Sequence, residues 1–469
     1  MKTAGLAVLP LALMMASCDA QQPPGSSVEA EMQTDDQDVA AAPADPGFAG
    51  SWTGELDAGV QTLELALEID LTGDAPSIIL ISVDQGGARV PMSIVRFDGA
   101  NVHFSTPGMA LQYDGVLEDG VITGTFDQGG LSASLVFERP QDAMDEASAE
   151  PAARYGEGEV VQVVLEEGLL EGVITAPDAP RAGLVMISGS GPQDRDGNIA
   201  GHPVYAAMAD ALAEAGMASL RYDDRGVGGS QAPEPLAPAE LADDAVRAMD
   251  VLKAQTGLSC VGYLGHSEGA FIGLMAANES EADFMISLAG QHQDMETLLY
   301  DQSEAMIRAS GQSDEAVEAN RDLQRLVFEA IANAEPGQAP AAIEAVLVEN
   351  GMPERMARQQ GAMWGQPYAV AMFASDPAAA AAAFDAPVLA LFGENDLQVL
   401  PENAQAALME ARGDHPTRTV IVPGVDHIFE DSETGLPNEY GLAGHALSPT
   451  AQAILVEETR ALIDQACTE

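Results

Sequence analysis

From residue 47 to 140, apolar and polar side chains alternate in short runs divided by Gly and Asp, as in Thr62-Leu63-Glu64-Leu65-Ala66-Leu67-Glu68-Ile69 and Ser132-Ala133-Ser134-Leu135-Val136-Phe137. Period two over several such runs predicts a small antiparallel β domain, with Trp52, Phe97, Phe104, Phe126 and Phe137 as its core. Beyond residue 156 the texture changes. A β section over 160–174 leads into short, mostly apolar strand candidates at 183–187, 218–222, 260–264, 284–288, 388–392 and 418–422. Helical stretches such as 204–215 and 238–255 separate most of them, which is the pattern of a mostly parallel, doubly wound α/β sheet. Between residues 290 and 384 that alternation stops and helical runs take over, so an all-helical insertion is expected between two strands, placed as a cap over the strand ends. The alanine run 378–383 favours helix.

The first residues carry Lys2, an apolar stretch over 4–15 and then Met15-Ala16-Ser17-Cys18. This is too short for an ordinary membrane span and has the shape of a signal peptide over 1–17. The small residues before Cys18 are similar to a bacterial lipobox, which implies lipidation at Cys18 and an exported protein held on a bacterial membrane, facing the periplasm, by its lipid alone. Residues 18–46 read as a flexible tether and 141–155 as a linker, both poor in apolar period. The expected organisation is therefore a β domain over 47–140, an α/β core over 156–289 and 385–469, and a cap over 290–384.

Charge removes one class of partner. With 74 acidic against 19 basic residues the net charge is −55, and such a chain gains nothing from counterion release on nucleic acid. If Cys18 is lipidated, Cys260 and Cys467 remain. Placing Cys260 in a core strand and Cys467 in the C-terminal tail predicts no bridge between them, and neither spacing suits a metal site.

The chemistry centres on Gly265-His266-Ser267-Glu268-Gly269, directly after the apolar run 260–264 and before the apolar helix 270–276. A serine between two glycines at a strand-to-helix turn is the pattern of a nucleophile elbow. A serine hydroxyl needs a base within hydrogen-bond reach and a carboxylate to fix that base's tautomer, and in this arrangement both follow the serine in the order acid, then histidine. Asp396 leaves the run 388–392 at its C-terminal edge, with Glu394 a near rival; Asp385 precedes that run, at the wrong end. Four of the seven histidines follow the elbow. His292 precedes the acid and His415 precedes the last strand, whereas His427 follows that strand through Pro423-Gly424-Val425-Asp426; His445 is a weaker rival. The oxyanion donors expected are the backbone amides of Glu268 and of Ser190 or Gly191, in the glycine-rich loop 188–196 after the run 183–187.

Taken together, Gly189-Ser190-Gly191-Pro192, the segment Arg221-Tyr222-Asp223-Asp224-Arg225-Gly226-Val227-Gly228-Gly229-Ser230, the elbow, Pro387-Val388-Leu389 leading to Asp396, and Gly424-Val425-Asp426-His427 resemble the bacterial serine α/β-hydrolases of the esterase and serine-aminopeptidase-like group. The resemblance covers about 160–466. It implies the α/β-hydrolase fold with a helical cap, hydrolysis of small-molecule carboxylic esters through an acyl-enzyme, and no cofactor or metal. Many relatives have His-Gly where this chain has the 188–191 loop, which leaves the second oxyanion donor open. Arg225 is expected to support the elbow by pairing with Asp223 or Glu268. A serine aminopeptidase, with a cap carboxylate such as Glu296, Glu304 or Glu329 for the substrate amine, or a thioesterase would use the same triad. A non-catalytic ligand-binding lipoprotein is the alternative of another class.

Overall fold

The computed structural model describes residues 45–57, 62–71, 76–82, 88–92, 94–106, 111–118, 120–128, 131–139 and 155–467. The signal peptide, Cys18, the tether up to residue 44 and all but the last residue of the linker lie outside the described residues. Two compact units are separated in sequence at residue 153.

The N-terminal unit is all β: β1 (Gly50–Asp57), β2 (Thr62–Asp70), β3 (Ser77–Ser82) and β4 (Ala88–Pro91) form one antiparallel meander. A second contains β5 (Ile94–Asp98), β6 (Asn101–Thr106), β7 (Leu111–Glu118), β8 (Val121–Gln128) and β9 (Leu131–Phe137). Reciprocal backbone bonds of 2.8 Å between Thr53 and Glu138 join the two. The period-two pattern is realised in β7, where Leu111 and Tyr113 are buried while Gln112 and Asp114 are exposed. Trp52, Phe104, Phe126 and Phe137 fill the core as expected, joined by Tyr113. Phe97 is only partly buried and packs on the rim against Phe48, with ring centroids 5.1 Å apart.

The C-terminal unit is built on one eight-stranded sheet of order β10-β11-β15-β12-β16-β17-β18-β19. In chain order its elements are β10 (Glu159–Val164), β11 (Leu169–Thr175), β12 (Ala182–Ile187), a two-residue pair β13 (Asn198–Ile199) and β14 (His202–Pro203), α1 (Val204–Glu214), β15 (Met217–Tyr222), α2 (Pro238–Thr256), β16 (Val261–His266), α3 (Glu268–Glu279) and β17 (Phe284–Leu288). Six helices follow: α4 (Met295–Ala309), α5 (Asp314–Asn333), α6 (Ala339–Glu349), α7 (Glu354–Trp364), α8 (Pro367–Phe373) and α9 (Pro377–Ala383). The chain then returns to the sheet through β18 (Val388–Gly393), α10 (Pro401–Arg412), β19 (Thr417–Val422) and α11 (Pro449–Ala466).

The β10–β11 hairpin pairs antiparallel with β15, and every later pairing is parallel. All six residues of β12, β15, β16 and β18 are buried; β12 and β18 read accordingly as unbroken apolar runs, whereas β15 also buries Ser219 and Arg221. One face packs Met208, Leu212, Leu455 and Ile463 of α1 and α11 against Leu184, Ile286 and Leu391. The other packs α2, α3 and α10 through Met249, Phe271 and Leu408 onto Val185, Tyr263 and Phe392. Phe328, Ile343 and Trp364 of the helical insertion join that second cluster, so the insertion shares a core with the sheet. Its return to β18 is tied by buried Arg412, whose guanidinium donates to the carbonyls of Ala381, Phe384 and Ala386.

One expectation is overturned: Cys260 and Cys467 form a disulfide, with Cα atoms 5.6 Å apart. Cys260 does not sit within β16 but immediately before it, and α11 runs back along the sheet to end at that same N-terminal edge. The tail is therefore a packed helix, and its last turn delivers Cys467 to the start of a central strand. The bridge closes a separation of 207 residues. A Cys260→Ser, Cys467→Ser double variant is expected to lose about 2–5 kcal/mol of unfolding free energy in guanidinium titrations. It should retain wild-type turnover, because the bridge lies at the opposite strand ends from Ser267.

Candidate active site

β16 ends in Gly265-His266, and Ser267 then takes φ 55° and ψ −119° before α3 begins. A non-glycine residue held there stores backbone strain that the surroundings must enforce. Both glycines are required sterically. A Cβ on Gly265 would collide with the Gly269 carbonyl, and one on Gly269 with the carbonyls of Ile187 and Ser188. Ser267 is thus fixed at the C-terminal edge of the sheet, at the N-terminus of α3, its own amide bonded to Leu288 O at 2.9 Å.

Past β18 the chain turns so that the Asn395 amide meets Val425 O at 2.9 Å, which joins the acid turn to the histidine turn. Asp396 is buried, and its Oδ1 accepts from the amides of Gln398 and Val399 at 2.8 and 2.9 Å. Its Oδ2 meets His427 Nδ1 at 2.8 Å. With the carboxylate accepting, Nδ1 is the donor and Nε2 keeps its lone pair, the tautomer a base requires. Glu394, the rival acid, instead accepts from the Gly424 amide at 2.9 Å and braces the turn before His427. His445 pairs with Asp431 at 3.0 Å, and His292 is buried against Ser287 Oγ at 2.9 Å.

Asp426 shapes the same turn, its Oδ1 accepting from the amides of Ile428 and Glu430 at 3.0 and 3.1 Å, while its buried Oδ2 has no hydrogen-bond partner among the described residues. Burial, reinforced by the charge of Glu430, pushes its carboxyl up to about 7. A folded-state value above the unfolded carboxylate value of about 4 means that the native chain binds the extra proton, so this stability is present below about pH 4 and is lost as pH rises toward 7. Wild-type unfolding free energy should therefore fall between pH 5 and pH 8, and Asp426→Asn should flatten that slope in denaturant titrations at the two pH values. An unchanged slope would remove Asp426 as its source. Asp224, half-buried and pushed up by desolvation to about 7, supplies a parallel contribution that the variant leaves in place.

His266 ties these parts together. Its Nε2 must donate to the carbonyl of His427, at 2.9 Å, so Nδ1 accepts from the Tyr205 hydroxyl at 3.1 Å, and Tyr205 in turn accepts from the Gly189 amide at 3.0 Å. Burial holds the His266 imidazole down to about 3, so this relay stays neutral. It connects the loop after β12, the residue before Ser267 and the backbone of His427. The loop passes close over the elbow, since a Cβ on Gly189 would stand 3.4 Å from that of Ser267. Ser190 follows with its hydroxyl on Glu268 Oε2 at 2.9 Å, and Gly191 turns the chain at φ 81°. Ser190 and Glu268 also line a small pocket, walled by Met295, Trp364, Tyr368 and Met372 of the helical insertion.

The alpha/beta hydrolase fold model matches residues 196–432. The chain belongs to that family. Esterase EstD of Thermotoga maritima is 28% identical over 280 residues, which span 59% of this chain and 62% of that protein's length. Among solved structures, dienelactone hydrolase from Anabaena variabilis is 18% identical and covers 67% of this chain and 100% of its own, with a TM-score of 0.37. A Pyrococcus furiosus esterase is 12% identical, covering 66% and 92%, with a TM-score of 0.41.

Within this α/β-hydrolase core, Arg225 departs from expectation. It forks onto Asp244 of α2 at 2.7 and 2.9 Å, while Asp223 is taken by Arg195. Two of the cap carboxylates suggested for a substrate amine are paired with arginines, Glu304 with Arg308 and Glu329 with Arg325. Tyr205, Tyr368 and the relay role of His266 were not singled out from the sequence. His266 sits inside the elbow motif but the motif constrains only spacing, and nothing in the helical run around Tyr368 marks it.

Proposed function

We propose that the chain is a serine hydrolase of carboxylic esters, with Ser267 as nucleophile, His427 as base and Asp396 orienting His427. The observation that carries this reading is the buried Asp396–His427 pair, 2.8 Å long, at the same strand edge as a serine held in a strained turn. Ser267 Oγ attacks the acyl carbonyl as its proton passes to His427 Nε2. The oxyanion takes hydrogen bonds from the amides of Glu268, at the first position of α3 with no intrahelical acceptor, and of the Ser190-Gly191 loop. Of Ser190 and Gly191 we assign Ser190 as the loop donor, because its side chain is held on Glu268, the residue beside the nucleophile; the Gly189 amide is engaged by Tyr205. The alcohol leaves with the His427 proton, and water repeats the cycle to release the acid. Thioesters would follow the same course.

The pocket encloses about 20 Å³, little more than a water's room, which favours short acyl groups over long ones. Glu268 supports a second reading, aminoacyl substrates, since it places a carboxylate on that pocket wall. p-Nitrophenyl esters of graded chain length, set against aminoacyl anilides, test both readings: short esters are expected to turn over fastest, and preferred cleavage of anilides would displace the esterase reading. We further propose export and lipid anchoring at Cys18; the Cys260–Cys467 bridge fits an oxidising compartment. Metabolic labelling with a fatty-acid probe, lost in Cys18→Ala, tests this.

A further inference from the structure

Three side chains outside the Ser267, His427 and Asp396 set converge beside the nucleophile from three parts of the fold. Glu268 opens α3, Ser190 lies in the loop after β12, and Tyr368 belongs to α8 of the helical insertion. The Tyr368 hydroxyl donates to Glu268 Oε1 at 2.6 Å and the Ser190 hydroxyl donates to Oε2 at 2.9 Å. Glu268 is buried, and burial raises its carboxyl above the usual range. Both of its partners are neutral hydroxyls. A buried carboxylate needs such donors to offset its lost hydration, so if α8 withdraws, one oxygen loses its donor inside an apolar wall. The positions of α8 and of the loop are therefore linked energetically through one side chain. The loop is also tied to the core by Ser188 Oγ and the Gln193 amide on Asp224 at 2.9 and 2.8 Å, by the Gly189 amide on Tyr205 at 3.0 Å, and within itself by Gln193 Nε2 on Ser190 O at 3.2 Å. Of these ties, the one through Glu268 reaches Tyr368 of the helical insertion.

We propose that Tyr368, Glu268 and Ser190 form a latch that couples the seating of the cap to the placement of the Ser190 amide as an oxyanion donor. The inference rests on the serine-hydrolase reading and deepens it. Tyr368 and the Ser190 hydroxyl are positioning groups: they act through the loop backbone and touch no reacting atom. A latch has a signature that a mere packing role lacks. Breaking it at either end disorders the same donor, so the two breaks do not add.

The experiment uses the full chain and four variants, Tyr368→Phe, Ser190→Ala, the double variant and Glu268→Gln, which keeps the Glu268 backbone donor. Two rates are read, fluorophosphonate labelling of Ser267 and kcat for a short p-nitrophenyl ester. Each single variant is expected to slow both about tenfold with KM changed less than about twofold, and the double variant to be no slower than the slower single one. Affinity for a trifluoromethyl ketone, which forms a tetrahedral adduct on the serine, should fall in step with kcat. Wild-type labelling rates in Tyr368→Phe, or single effects that multiply in the double variant, overturn the latch and leave the hydrolase reading intact. A wild-type protein that does not label at Ser267 overturns both. Thermal melts report whether each variant folds, and Tyr368→Phe, which deletes one hydroxyl from a packed ring, carries the test if Ser190→Ala does not fold.

Discussion

Ser267→Ala is expected to lower ester turnover by about 10⁶ while leaving the fold intact. The size follows from the proposed triad of Ser267, His427 and Asp396 acting as a unit. Without Oγ, the proton that His427 Nε2 would take has no source, and the Asp396 orientation at 2.8 Å serves nothing. Residual rate then comes only from the oxyanion donors and from binding. The same substitution removes a hydroxyl but keeps a Cβ in the left-handed turn at φ 55°, so the strain stays and no core contact is lost. Its melting temperature should match the wild type, which separates lost chemistry from lost structure. Kinetics on a short p-nitrophenyl ester and a thermal melt suffice. Turnover within about tenfold of wild type in a folded Ser267→Ala protein would remove the serine from the chemistry.

The elbow was legible because its requirements are local. Two glycines have no room for Cβ, and the preceding strand, buried on both faces, shows as a solid apolar run. Asp396 and His427 were legible for a related reason: each comes a few residues after a strand, the wholly buried β18 and the partly exposed β19, and parallel strands deliver the turns at their C-terminal ends to one edge. The helical insertion showed itself by interrupting the strand–helix alternation. Whatever depends on where distant segments meet stayed hidden. The Cys260–Cys467 pairing requires knowing that α11 travels back to the first end of β16, and strand periodicity says nothing of that. Tyr368 meets Glu268 across 100 positions of sequence from a helix whose pattern reports only which face is apolar. Arg225 was misassigned because several carboxylates stand within reach in sequence, and the choice of Asp244 depends on α2 packing beside it.

Asp396→Asn should reduce turnover by about 10⁴ through a change of tautomer, with the histidine still in place. Oδ1 is held by two backbone amides, from Gln398 and Val399, and only an acceptor satisfies them. The asparagine must therefore keep its oxygen there and turn its NH₂ toward His427. Facing a donor, Nδ1 becomes the acceptor, the proton moves to Nε2, and the nitrogen nearest the nucleophile can no longer take a proton. Turnover and fluorophosphonate labelling should fall together, since both need Ser267 deprotonated, and KM should change little. Raising the pH should restore nothing below the range where imidazole itself ionises. Glu394→Gln is the control: its oxygen can still accept from the Gly424 amide, and its expected loss is within about tenfold. If Asp396→Asn instead retains wild-type labelling while Glu394→Gln abolishes it, the acid is Glu394, and the turn between β18 and α10 must rearrange to carry it to His427.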